Sequence, residues 1–245
     1  MEAFAWGLVA ASSVVLGGLV ALRWTFSSRV LGLVMAFGAG VLISAVAYDI
    51  VLDAYETSAG ASGVGFGLAA GALSFYAGDA YLDRQGAAER KRSGRAITTD
   101  GSGAAFPLVL GIVLDGIPES IVIGVGLLSG DGVGLAVLAA VFLSNLPEAV
   151  AATVGLRRGG EAPGRIIGLW AVVALVSAFA ALAGYAAFDG ASPQVLAFVT
   201  AFAGGAVLTR LADTMMPEAF EHGGPTVGLM TTLGFGLAFA LTQLE

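Results

Sequence analysis

The sequence predicts an all-α fold, a polytopic membrane helix bundle with eight transmembrane helices in a 3+2+3 inverted-repeat arrangement. Three observations carry this. Hydrophobic residues fill 57% of the 245 positions and charged residues only 12%, with a mean hydropathy of +0.89; soluble domains carry about twice that charge. The apolar runs are about twenty residues long and do not alternate, which selects helices over a barrel, the other structure that satisfies its own backbone in lipid. Finally, two pairs of segments repeat within the chain.

Taken in order, the spans fall at about 4–22, 30–52, 63–82, 105–128, 132–155, 165–188, 193–216 and 226–244. The first has Glu2 where a secretory leader is basic, and no polar break separates it from the second. It therefore reads as a helix of the bundle rather than a signal peptide. Arg23 and Arg29 follow the first span, Arg84, Arg90, Lys91, Arg92 and Arg95 the third, and Arg157, Arg158 and Arg165 the fifth. With alternating spans all these loops share one side, while the opposite loops hold Asp131 and Asp189 and no Lys or Arg. The positive-inside rule makes the basic side cytoplasmic and places both termini outside the cell membrane. Residues 1–245 read as one transmembrane domain, with a polar, flexible cytoplasmic loop at about 83–103. The basic segment around Arg90 also suits anionic lipid.

The chain has no cysteine, which excludes disulfides, thiolate ligands and thiol redox chemistry. Its net charge of −7 gives no sign of a nucleic-acid partner; the partners expected are divalent metal ions, the lipid bilayer and a second copy in a homodimer.

The first repeat lies mid-chain. It reads Asp115-Gly116-Ile117-Pro118-Glu119-Ser120 and then Ser144-Asn145-Leu146-Pro147-Glu148-Ala149, and each copy runs on to Val-Gly-Leu, at 125–127 and 154–156. The second repeat frames it. AFGAGVLISAVAYDIVLDAYE, at 36–56, and AFAGGAVLTRLADTMMPEAFE, at 201–221, align without a gap in the second and seventh spans, which run in opposite directions. Opposed repeats related by an in-plane axis are a recurring build of secondary transporters, with the substrate near midplane. The bland alternative is chance likeness between Gly/Ala-rich helices.

A carboxylate in hydrocarbon is costly, so Glu119 and Glu148 mark function by default. Asp115 and Glu119 are four apart and share a helix face; Ser144, Asn145 and Glu148 cluster the same way. Pro118 and Pro147 remove backbone donors, which frees the carbonyls of Leu114 and Leu143. If the two helices face each other, Asp115, Glu119, Asn145 and Glu148, with Ser144, form an all-oxygen metal site suited to hard or borderline divalent ions. The alternative for the glutamates is protonated interhelical glue, worth about 0.6 kcal/mol per bond; for Ser144 it is close helix packing.

Asp49, Asp53, Asp213 and Glu218, with Asp79, read as ligands along a pathway, and Asp53, Glu56, Glu218 and Glu221 also suit solvated helix ends. Arg210 is the one cation well inside a span. It has Asp213 one turn on and Asp49 or Asp115 across the bundle as partners, and it would either neutralise a surplus acid or replace the ion. A guanidinium seated between Glu119 and Glu148 would count against transport. His222, the only histidine, reads as a loop residue beside Glu218 and Glu221.

With these motifs the chain resembles the ZIP family of divalent metal transporters, in its prokaryotic GufA-like branch, over all eight spans. Asp115-Gly116-Ile117-Pro118-Glu119-Ser120 stands where that family has His-Asn-x-Pro-Glu-Gly, and Asn145-Leu146-Pro147-Glu148-Ala149 matches its second Pro-Glu-Gly motif. Phe37-Gly38-Ala39-Gly40, Met216-Pro217-Glu218 and His222-Gly223 resemble further family positions. The resemblance implies a 3+2+3 bundle, often dimeric, with Glu119 and Glu148 as bridging carboxylates between the fourth and fifth spans. Asp115 replaces a histidine ligand, Gly116 an asparagine and Ser177 a glutamate.

The function expected is an ATP-independent secondary transporter moving divalent cations (Zn, Mn or Fe) through an oxygen-rich site. The alternative is a transport-impaired ZIP-like membrane protein with a structural or regulatory role. No nucleophile–base pair points to an enzyme.

Overall fold

The computed structural model describes residues 1–58, 61–82, 105–128 and 134–243, and these are helix and turn with no strand. Helical rods follow in chain order: α1 (Glu2–Arg23), α2 (Ser28–Ser58), α3 (Ala61–Leu82), α4 (Ala105–Gly126), α5 (Leu135–Arg158), α6 (Pro163–Phe188), α7 (193–223) and α8 (Val227–Thr242). Glu2–Arg23, Ser28–Ser58, Leu135–Arg158, Pro163–Phe188 and Pro193–Thr242 are long and apolar enough to cross a membrane. The chain is an all-α, multi-pass membrane bundle. The expected loop at 83–103, with Arg84, Arg90, Lys91, Arg92 and Arg95, lies outside the described residues, as does Asp131.

Local chemistry sets the rod ends. Ser27 caps α2 by accepting from the backbone N–H of Val30 at 3.3 Å. α6 and α7 begin on Pro163 and Pro193, whose missing donors are those a helix start leaves unused. α5 ends in a Schellman turn: Gly160, at φ +85°, donates to Arg157, and Glu161 donates to Leu156.

Two rods outrun the sequence expectation. α2 continues from 52 to Ser58, and α7 from 216 to Gly223. The acids Asp53, Glu56, Glu218 and Glu221 therefore prolong helices that already carry apolar faces. Each of these rods widens midway into a π-helical stretch, Val46–Val51 in α2 and Leu211–Met215 in α7. The second repeat aligns Val46 with Leu211, so the same irregularity falls at the same repeat position twice.

Packing repeats as well. α8 lies along α2 and α3 lies along α7. In the first pair a Cβ on Gly40 would strike the Thr231 carbonyl, and one on Gly234 the Phe37 carbonyl. In the second pair a Cβ on Gly205 would strike the Leu68 carbonyl, and one on Gly71 the Phe202 carbonyl. Gly40 and Gly205 are aligned by the repeat, and so are Phe37 and Phe202. Small residues let backbones approach this closely where lipid offers no hydrophobic drive between helices. α1 packs on both α5 and α6, and α4 packs on α6.

Candidate functional site

Three helices bring their polar groups to one point. α4 supplies Glu119, α5 supplies Asn145 and Glu148, and α7 supplies Arg210 at the last residue before its π-helical stretch. Glu119 and Arg210 are each 3% exposed. A charge at that depth is tolerated only when paired and hydrogen-bonded.

The pairing is a fork. One terminal nitrogen of Arg210 donates to Glu119 Oε1 at 2.6 Å, and the other donates to Glu148 Oε1. The second oxygen of Glu119 accepts from Asn145 Nδ2 at 3.4 Å. The planar guanidinium presents its donors at fixed angles, so its two terminal nitrogens reach one carboxylate each with little further ordering. The Glu148 side chain keeps 15% exposure against 2% for Glu119, so the fork opens to its surroundings on the α5 side.

Of the partners named for Arg210 on sequence grounds, Asp213 is exposed and the Asp115 side chain lies outside the described residues. The guanidinium runs to the two glutamates. Burial favours this: a cation shared by one buried and one partly buried acid offsets more desolvation than a contact with one exposed acid. The signal was present in the sequence as one intramembrane cation and two intramembrane acids, but nothing local linked positions so far apart in the chain.

The remaining candidates scatter. The Ser144 hydroxyl donates to the Val141 carbonyl of its own helix at 3.1 Å, and a Cβ on Gly38 would lie 3.1 Å from Ser144 Cα. Ser144 thus occupies a close α2–α5 crossing. The Leu143 carbonyl, released by Pro147, faces Gly38 in the same crossing, 3.3 Å from that Cβ position. Asp49 accepts from the Thr242 hydroxyl at 3.4 Å, which ties the π-helical stretch of α2 to the end of α8. Asp53, Glu56 and Glu221 are exposed, and Asp79 and Glu218 are half-buried. His222 turns Nδ1 to the Glu218 carbonyl at 2.9 Å. Asp115 belongs to α4, and its side chain lies outside the described residues, as does the released carbonyl of Leu114.

Gly116 and Ser177 are neighbours: a Cβ on Gly116 would lie 3.5 Å from Ser177 Oγ. Among the described residues no three His, Cys, Asp or Glu side chains stand close enough to hold a metal ion. No protein-family model matches the chain, and no curated protein matches it. Chemically, the centre is an ion triad in which one guanidinium bridges two carboxylates.

Proposed function

We propose that this chain is a ZIP-like membrane protein in which the guanidinium of Arg210 takes the position of the divalent cation between Glu119 and Glu148. The single observation behind this is the fork from Arg210 to both glutamates. The guanidinium cancels one of the two carboxylate charges and occupies one oxygen of each acid, which weakens their capture of a passing ion. The role left to such a protein is structural or regulatory, as a transport-impaired relative of divalent-cation permeases.

The architecture in this reading is eight spans in a 3+2+3 arrangement, with α1–α3 and α6–α8 as opposed halves around α4 and α5. Its support is the twofold recurrence of the glycine crossings and of the π-helical stretches at aligned positions. In this reading the arginines of the sequence favour a cytoplasmic side for their loops, with both termini on the opposite side.

A second reading keeps metal transport and treats Arg210 as a mobile counter-ion that leaves when a divalent cation arrives. Its specific support is that α7 turns π-helical immediately after Arg210, since π-bulges concentrate at functional sites. In that reading Zn²⁺, Mn²⁺ or Fe²⁺ is the substrate.

Uptake into proteoliposomes separates the two. The first reading expects no accumulation of Mn²⁺, Fe²⁺ or Zn²⁺ by the native protein, and accumulation by the Arg210→Val variant. Native accumulation that disappears in Glu119→Ala and Glu148→Ala overturns it in favour of the mobile counter-ion.

A further inference from the structure

Away from the triad, the strongest unexplained feature is a basic corner where α1 ends and α5 passes into α6. Residues 23–29 and 157–165 hold five arginines and one acid, in a chain whose net charge is −7. Folding brings the two segments together. Arg157 donates to the carbonyls of Ala21 and Leu22 at 3.2 and 3.3 Å, satisfying acceptors that the end of α1 leaves open. Arg165 is held by Glu161 at 3.2 Å. Arg23, Arg29 and Arg158 remain exposed, with no ion pair to the described residues. Trp24, 59% exposed, follows directly on α1 in extended conformation. The N-terminus of α6 opens at the same corner and adds the positive end of its helix dipole.

We propose that this corner binds the headgroup of an anionic phospholipid, with Arg23 and Arg158 on the phosphate and Trp24 at the headgroup level. The chemistry is complementary on both counts. Clustered arginines beside a span end recognise anionic lipid, and an indole prefers the interface, where one edge is apolar and the other wet. Arg157 has the separate task of joining the two helix ends, so that Arg23 and Arg158 face one ligand. The proposal depends on the chain being a membrane protein and not on what Arg210 does; its failure leaves the triad reading intact.

The test is thermal unfolding of the purified full chain in detergent, with phosphatidylglycerol or phosphatidylcholine added. Phosphatidylglycerol is expected to raise the midpoint by about 5 °C at saturating lipid, and phosphatidylcholine to leave it unchanged. An Arg23→Gln/Arg158→Gln double variant should lose at least half of that shift, while Arg165→Gln keeps it. Equal shifts with both lipids, a shift that survives in the double variant, or the same shift produced by inorganic phosphate would each overturn the proposal. If the double variant does not fold, the native protein decides the matter. Its phosphatidylglycerol shift must shrink between 0.1 M and 1 M KCl, where screening shortens from about 10 to 3 Å, and a salt-independent shift sinks the idea.

Discussion

Arg210 and Glu119 lie 91 residues apart in the chain and 2.6 Å apart in space. Through the second arm of the same guanidinium the contact extends to Glu148, so one side chain fastens α7 to both α4 and α5. Each member depends on the others. Buried charged groups of opposite sign are stable as a set, and removing Arg210 takes from both acids the counter-charge that offsets their desolvation.

The first prediction concerns that dependence. Arg210→Met leaves Glu119 and Glu148 facing each other without a counter-charge and should cost about 3–5 kcal/mol in detergent unfolding. Adding Glu119→Gln and Glu148→Gln to the same variant removes the stranded charges and should recover most of the loss. Arg210→Lys should fall in between, because an ammonium keeps the charge but lacks the planar fork that presents one nitrogen to each acid. A native-like midpoint for Arg210→Met would show that the triad carries no structural charge balance.

A second prediction reads metal binding without measuring flux. Anything bound only by the folded state raises its apparent stability by RT ln(1 + [L]/Kd). Mn²⁺ or Zn²⁺ should leave the native midpoint unmoved, since Arg210 already sits between the glutamates and holds an oxygen of each. In Arg210→Val the same ions should raise it, by about 2.7 kcal/mol at one hundred times Kd. A native protein stabilised by metal to the same degree would mean the guanidinium yields readily to an ion.

The helices were legible in the sequence because their signal is dense: nearly every residue of a span is apolar, and prolines and glycines mark the turns at Pro163, Gly190 and Pro193. Glu119 and Glu148 stood out for the same reason, as acids out of place. A guanidinium between them was one of several arrangements open to Arg210, because which acids α7 meets follows from how the rods pack, which no local pattern records. Ser144 stands one turn before Glu148, and its hydroxyl bonds to the Val141 carbonyl of its own helix at a close crossing with α2, a setting that only the packing of the rods reveals. The helix extensions to Ser58 and Gly223 were hidden because acids were read as ends, although an acid at a helix end need not terminate it.

The third prediction tests a buried polar link outside the triad. Trp170 Nε1 donates to Thr153 Oγ1 at 2.8 Å, with both side chains wholly buried between α5 and α6. Thr153→Val keeps the shape and strands the indole N–H, so it should cost about 1–3 kcal/mol and alter the fluorescence of Trp170. Thr232→Val is the control, since that hydroxyl bonds to Gly228 of its own helix at an exposed position. Equal losses at the two sites would mean that the α5–α6 hydrogen bond adds nothing beyond local helix chemistry.

The last prediction bears on the repeated architecture. In Gly40→Ala and Gly205→Ala the new methyl groups meet the carbonyls of Thr231 and Leu68, so the paired rods must separate. Each should lose about 1–3 kcal/mol, the usual cost of overpacking. Gly168→Ala and Gly228→Ala, with no neighbour within 4 Å of the added carbon, should instead be neutral or gain about 0.5–1 kcal/mol from the stiffer helix. The informative comparison is between the first two variants. If α2–α8 and α7–α3 are one crossing built twice, Gly40→Ala and Gly205→Ala must cost nearly the same and must add when combined, because the sites share no partner. A large loss at one and none at the other would leave the likeness of 36–56 to 201–221 as a coincidence of small residues, and the opposed-halves arrangement would fall with it.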